Sequence, residues 1–216
     1  QELHVKISGW IQMEVMERMI EDRFNIEARF ENPTVIYKET PSKKCTGFVR
    51  YWMPKPCWAI LKFELEPAER GSGVHYKSII SVDDVARKYQ NEVEETIEKS
   101  LKQGIKGWEV TDLNIRLIEG EDHEVHSRPG DFKIATPMGI MNGLQNGGTT
   151  LLEPILSFVI KADEELLENV SSDIIKMRGT FESPMIEDGR FVLKGTLPLA
   201  TSQDYPVKLS SRSGGR

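Results

Sequence analysis

The chain has 216 residues and a formal net charge of −6, a balance that argues against a general duplex-DNA binder, since phosphate contacts want a basic face. With 38% apolar and 29% charged residues it reads as a soluble globular sequence, of one domain or of two or more small ones. No run approaches the roughly 18 apolar residues of a spanning helix, and Gln1 opens into charged sequence without a signal-peptide pattern, so a cytoplasmic protein without a membrane partner is expected.

In chain order, the first pattern is helical. Trp10, Ile11, Val15, Met16, Met19 and Ile20 recur at helical spacing up to Phe24, with Gln12, Glu14, Glu17, Arg18 and Glu21 on wet faces. One helix and a short strand-like Ile26–Phe30 bury too little apolar area to offset their ordering entropy. Gln1–Pro33 is therefore read as the end of a domain whose larger part is missing, with Asn32-Pro33 as the boundary turn.

A second unit begins with a strand at Thr34–Lys38 and another extended segment near Phe48–Trp52. Met53–Trp58 is a stiff turn, because Pro54 and Pro56 each fix φ and remove a donor. Ala59, Leu61, Phe63 and Leu65 then alternate with charged residues as a strand, which Gly71–Gly73 ends as a tight turn rather than as a phosphate loop. Asp83–Gln103 is a helix with Val85, Tyr89, Val93, Ile97 and Leu101 on one face. Ser81 and Asp84 predict a capping box at its start, and Lys102 with Gly104 predicts its C-terminus. Val110–Ile118 is a half-buried strand with Leu113, Ile115 and Leu117 inward. From Glu119 to Asp131 the periodicity gives way to a polar projecting loop, and Asp131–Gln145 reads as a helix in which Pro137 marks a kink or an early turn.

The third unit opens near Leu151, with Leu156, Phe158 and Ile160 on one strand face and a helix over Ala162–Met177. Asp188-Gly189 is a hairpin turn between Phe181–Ile186 and Arg190–Leu197. Strand, helix, strand, strand opens a split-βαβ unit, and Tyr205–Arg216 can start its next helix.

Catalytic signals are sparse. There is no Gly-x-x-x-x-Gly-Lys-Ser/Thr motif. Cys45 and Cys57 form no Cys-x-x-Cys pair; reduced thiols are the economical reading, and spacing leaves a disulfide open. His4 and His75 beside apolar patterns read as packing residues. His123 and His126, flanked by Glu121, Asp122 and Glu124, permit three readings: a solvated loop, a recognition loop, or the metal site of a small metal-dependent enzyme.

Several strings, in order, resemble the C-terminal half of the elongation factor G superfamily, and within it the tetracycline-resistance ribosomal protection proteins. They are Glu2–Gly9, Glu31–Thr40, Gly71–Gly73 with the downstream helix, Gly107–Asp112, His123–Val125, Asp131–Ala135 and Leu151–Pro154. The resemblance implies an α+β chain of several small two-layer domains: residues 1–33 as the end of domain III, 34–149 as an S5-like domain IV, and 150–216 as a truncated, ferredoxin-like domain V. It also implies a monomer with no cofactor and no enzymatic activity in these residues, GTP and Mg2+ being bound by an N-terminal domain outside this chain. The implied partner is the ribosome, through 16S rRNA of the small subunit, and no DNA. Met53–Trp58 is similar to the Pro-rich first loop of the protection proteins. His123, Glu124 and Val125 instead resemble the tip of the translocase, Val125 standing where the protection proteins tend to carry proline. Pro54, Lys55, Pro56, Trp58, His123, Glu124, Val125, His126 and Arg128 are the implied ribosome or rRNA contacts, Lys55 and Arg128 suited to phosphate and Trp58 or His123 to a base face. Tetracycline protection and translocation of tRNA and mRNA are the two activities so implied for the parent protein.

Overall fold

The computed structural model describes residues 5, 7, 10–31, 34–52 and 57–214, which divide into two units, Gln1–Thr34 and Val35–Arg216. In the first, the apolar helical spacing forms α1 (Trp10–Phe24). Asn25, at φ 52°, ends the helix by donating its N–H to the carbonyl of Glu21, a left-handed stop that asparagine tolerates. Ile26–Phe30 is not a strand as expected. No strand exists among the described residues of this unit to pair with it, and Ile26 is left exposed. The turn expected at Asn32-Pro33 lies outside the described residues.

The second unit runs β1 (Lys38–Pro41), β2 (Cys45–Trp52), β3 (Trp58–Pro67), β4 (Val74–Ser78), α2 (Arg87–Ser100), β5 (Glu109–Val110), β6 (Leu113–Glu121), α3 (Asp131–Gly147), β7 (Thr149–Leu152), β8 (Ile155–Asp163), α4 (Leu167–Lys176), β9 (Thr180–Phe181), β10 (Met185–Glu187), β11 (Arg190–Pro198), α5 (Leu199–Ser202) and α6 (Tyr205–Ser213). It is a mixed α/β arrangement. A four-stranded sheet has the order β2-β3-β6-β4, antiparallel except where β4 lies parallel to β6. β1 is flanked by β5 and β7 in a small second sheet, and β8, β9, β10 and β11 make a third.

Alternation in β3 puts Ala59, Leu61, Phe63 and Leu65 inward, fully buried against Val85, Tyr89, Val93, Ile97 and Leu101 of α2 and its flanks. The helix itself is shorter than its apolar spacing suggested. The Ser81 N–H does donate to Asp84 Oδ2, and the Ser81 hydroxyl accepts from the N–H of Asp83, but these bonds close a separate turn. Ala86 then leaves the helical region at ψ 142°, so α2 starts at Arg87. Gly104 likewise is no helix cap. Its backbone passes so close to Glu39 that a Cβ would lie 2.7 Å from the carboxyl carbon. Glu39 is buried, and its carboxyl group accepts from the N–H groups of Lys106 and Trp108 at 2.9 Å and from the Thr149 hydroxyl at 2.7 Å, tying β1 to both neighbours.

Helix α3 packs across β2 and β3 through glycine. A Cβ on Gly139 would meet the Phe63 ring at 2.8 Å, one on Gly143 would meet Leu65 at 2.7 Å, and one on Gly147 would meet Cys45 Sγ at 2.6 Å. On the strand, a Cβ on Gly47 would run into the carbonyl oxygen of Gly139. Pro137 sits inside the helix without ending it. Both cysteines are free thiols, and burial pushes that of Cys45 up.

In the third sheet β8 continues to Asp163, since Ala162 faces the core opposite Phe191, so the expected helix begins only at Leu167 after a short 3-10 turn at Glu164–Leu166. The segment expected as one strand from Phe181 to Ile186 is two short pieces, interrupted around Pro184, which has no N–H to donate. Asp188 and Gly189 both take positive φ, as the tight hairpin requires. No helix among the described residues is long and apolar enough to cross a membrane.

Two outcomes follow from this packing. Gly47→Ala should cost about 2–3 kcal/mol in denaturant unfolding, because neither backbone can yield without lifting α3; an unchanged midpoint would show that the helix has slack. The second concerns Asp112, at φ 55°. Burial raises its pKa, but the N–H groups of Gly71 and Gly73, the Thr111 hydroxyl and nearby Arg70 together hold it below the ordinary aspartate value. A depressed folded pKa adds stability above the unfolded value that is lost as pH falls through the folded one. The chain should therefore melt higher than its Asp112→Asn variant at neutral pH, and the gap should close in acid below the usual carboxylate range; a pH-independent gap would contradict the assignment.

Candidate functional site

Two segments about 65 residues apart in sequence meet at one end of the four-stranded sheet. Trp52 and Trp58 are cross-strand partners closing the register of β2 and β3, and Ile60 pairs with Glu121 at the far end of β6. Between Lys62 and Phe63 the β3–β6 register slips, leaving Ile118 as an extra residue in β6. This bulge inverts the alternation. Gly120 now faces inward, where a Cβ would lie 2.7 Å from Val85, while Glu119 and Glu121 face solvent. The loop expected from Glu119 is therefore strand as far as Glu121.

The remaining connection is clasped rather than projecting freely. The Ser127 hydroxyl donates to the carbonyl of Trp58 at 2.6 Å and accepts from the N–H of His123 at 2.8 Å, while the Ser127 N–H returns to the His123 carbonyl at 2.9 Å. From below, the Tyr89 hydroxyl donates to the Ser127 carbonyl at 3.0 Å. Asp131, at the start of α3, accepts from the N–H groups of Trp58 at 3.1 Å and Arg128 at 2.8 Å, and Glu92 of α2 accepts from the N–H of Gly130 at 3.0 Å. Ser127 and Asp131 are consequently buried within a segment whose composition alone looked fully solvated.

On this clasp stands a chain of rings. Trp52 meets Trp58 edge to face at 5.1 Å between centroids; Trp58 meets His123 at 5.4 Å and His126 at 6.4 Å; His123 stacks on His126 at 4.3 Å. The Arg50 guanidinium lies 4.9 Å from the centroid of the Trp52 ring. His123 Nδ1 accepts from the N–H groups of Val125 at 3.1 Å and His126 at 3.3 Å, so this imidazole shapes the turn. Trp58 Nε1 is enclosed without a hydrogen-bond partner, which makes Trp58 an interior prop of the cluster more than an exposed platform.

Of the residues singled out from sequence, Trp58, His123 and His126 are brought into one cluster. Glu124, Val125, His126 and Arg128 are exposed around it, and Val125 is 67% exposed. Pro54, Lys55 and Pro56 lie outside the described residues, as does His4. His75, expected to pack, is exposed on β4. A metal role for His123 and His126 does not fit the geometry. Nearly parallel stacked rings direct their nitrogen lone pairs side by side instead of at one point, and His123 Nδ1 is already an acceptor. Among the described residues no group of three or more His, Cys, Asp or Glu is arranged to hold a metal ion. Arg50 and Trp52 were missed; alternation of Phe48, Arg50 and Trp52 along the segment already read as extended was the available signal.

A family model described as elongation factor G, domain IV, matches residues 33–148, and one described as elongation factor G C-terminus matches residues 150–216. Tetracycline resistance protein TetP of Clostridium perfringens is 38% identical over 216 residues, covering 100% of this chain and 33% of that protein. Tetracycline resistance protein TetO of Campylobacter coli is 33% identical, covering 100% of this chain and 34% of that one. A crystal structure of a Thermus thermophilus protein is 26% identical and superposes with a TM-score of 0.81 over 96% of this chain and 31% of its own. The chain thus spans about a third of the length of the curated relatives it matches.

Because its hydroxyl joins Trp58 to His123, Ser127→Ala should cost about 1–2 kcal/mol and speed amide exchange at His123 and Ser127 beyond the global change. Exchange that rises equally along β3 and β6 would mean that the clasp is not local.

Proposed function

The chain belongs to the elongation factor G family, matched by that family over residues 33–148 and 150–216, and on this premise we propose that it is the ribosome-binding C-terminal part of a translational GTPase. In this reading residues 1–33 end domain III, residues 34–149 form an S5-like domain IV, and residues 150–216 form part of a ferredoxin-like domain V. The clustered end of domain IV enters the decoding region of the small subunit and touches 16S rRNA in the cytoplasm. GTP and Mg2+ are bound by the part of the parent protein that this chain does not contain.

One observation carries the reading: Trp58 and the His123 and His126 pair, from distant segments, form a single ringed end of the sheet with Val125, Glu124 and Arg128 exposed about it. His126, exposed at the end of the ring stack, offers a face to an unpaired base, and Arg128 offers a phosphate contact. Glu121, Asp122 and Glu124 oppose phosphate, so the end alone binds weakly and the parent's other domains supply the anchoring. We infer tetracycline protection as the task, supported by relatives named as tetracycline resistance proteins over the whole of this chain. Translocation is the second reading, favoured by His123, Glu124 and Val125, which resemble the translocase tip.

The test uses the full parent protein in a tetracycline-sensitive host. Under protection, the intact parent raises survival in drug, and joint replacement of Glu124, Val125 and His126 by glycine removes that survival while ribosome-stimulated GTP hydrolysis persists. Support of translation without any drug resistance would move the assignment to translocation. Loss of GTP hydrolysis in the same variant would show that these residues act on the engine and not at the tip.

A further inference from the structure

Below the ringed end, the outward face of β2 carries Thr46, Phe48, Arg50 and Trp52, while Gly47 and Val49 are buried beneath α3. Phe48 is 48% exposed and Trp52 51%. A lone exposed apolar side chain needs no explanation, but two aromatic rings each left about half exposed, with a guanidinium between them on one strand face, keep more apolar surface in water than the contact of Trp52 with Trp58 requires. Several other charges on this sheet face are neutralised in place. Lys62 pairs with Glu119 at 2.6 Å, and Glu64 pairs with both Lys44 and Arg116. Arg50 meets no carboxylate among the described residues and lies over the Trp52 ring instead. A guanidinium resting on an aromatic face keeps its in-plane N–H donors free for a phosphate fork.

We propose that Phe48, Arg50 and Trp52 form a binding strip for single-stranded RNA, in which the two rings stack unpaired bases and Arg50 takes the phosphate between them. The strip rests on the reading of the sheet end as an RNA-contacting surface and extends it down the edge of domain IV. Alternate residues on a strand face are about 7 Å apart, so Phe48 and Trp52 stand roughly 14 Å apart along β2, with Arg50 between them in sequence and its guanidinium drawn toward the Trp52 end. Stacking accepts any base, which makes the strip indifferent to sequence. The acidic residues do not block it: Glu121 lies on β6, separated from Arg50 by Ile60 in the register Arg50, Ile60, Glu121. A peptide adding to β2 as a further strand is the poorer ligand. The outer edge of β2 is already occupied by α3, whose Asn142 accepts from the Phe48 N–H at 3.0 Å and whose Asn146 donates to the Thr46 carbonyl at 3.0 Å. Ring faces and a guanidinium remain, and these suit a nucleic-acid strand.

The experiment titrates this chain with a short unstructured RNA oligonucleotide of mixed sequence at low salt, following the tryptophan indole N–H signals by NMR. The Trp52 signal should move. Trp52→Ala and Phe48→Ala should each weaken binding about tenfold, and Trp52→Phe should keep most of it. Arg50→Gln should reduce the slope of log affinity against log salt by about 0.7. Thermal midpoints of the Phe48 and Arg50 variants should stay at that of the parent sequence, which separates lost contact from lost fold. RNA binding with an unmoved Trp52 signal and undiminished affinity in Trp52→Ala overturns the strip while leaving the sheet-end reading intact. RNA that moves no indole signal overturns the strip, and the sheet-end reading, which assigns the anchoring to the parent's other domains, is then decided by the survival test on the parent protein.

Discussion

The closeness of helix α3 to strand β2 is the constraint on which the rest of the second unit depends. Gly47 on the strand and Gly139, Gly143 and Gly147 on the helix remove the side chains that would hold the two backbones apart. Interiors pack like crystals of small molecules, so a helix that seats this tightly is fixed in position as well as depth. Its first residue, Asp131, then arrives beside the N–H of Trp58, and its flank supplies Asn142 and Asn146 to the free edge of β2. One contact surface thereby builds the sheet end, covers an aggregation-prone edge and leaves the opposite sheet face to solvent.

Away from that contact, buried polar groups set position. Glu39 collects two backbone amides and a hydroxyl, and Asp112 gathers Gly73 through its carboxylate while its carbonyl accepts from Ala68 and the Thr40 hydroxyl. Such groups add little net energy when satisfied, but leaving them unpaired is costly, so they admit one arrangement of the loops they hold. Ser127 and Asp131 apply the same principle at the sheet end. Carboxylate and hydroxyl acceptors fasten a Gly- and Pro-containing connection that has too little apolar surface to fasten itself.

Under the proposed reading a fastened end has a functional meaning. A recognition surface held before binding loses little conformational entropy when it binds, so even weak ring and cation contacts can count toward affinity. His123 shows how closely shape and surface are joined here, since one face of its ring leans on Trp58, the other carries His126, and its Nδ1 closes the turn that exposes Val125.

Much of this was legible in the sequence, because it is written in local spacing. The five apolar positions spaced from Val85 to Leu101, along α2 and its flanks, are all buried, Asp188-Gly189 makes the hairpin turn, and Tyr205 starts a helix. Of the ordered strings that resembled elongation factor G, those from Gly71 to Pro154 and most of Glu31–Thr40 fall within the residues matched by its domain IV and C-terminal families, while Glu2–Gly9 lies outside them. What local spacing could not determine is anything set by register or by distant chain. The bulge at Ile118 turns an apparent loop back into strand, Gly104 makes room for Glu39 instead of capping a helix, and Ser81 with Asp84 close a turn one step before the helix they looked set to start. Trp52, Trp58, His123 and His126 become one site only when three strands align and α3 seats on glycine, because the pairing of residues far apart in sequence is decided by packing and not by the alternation of either segment alone.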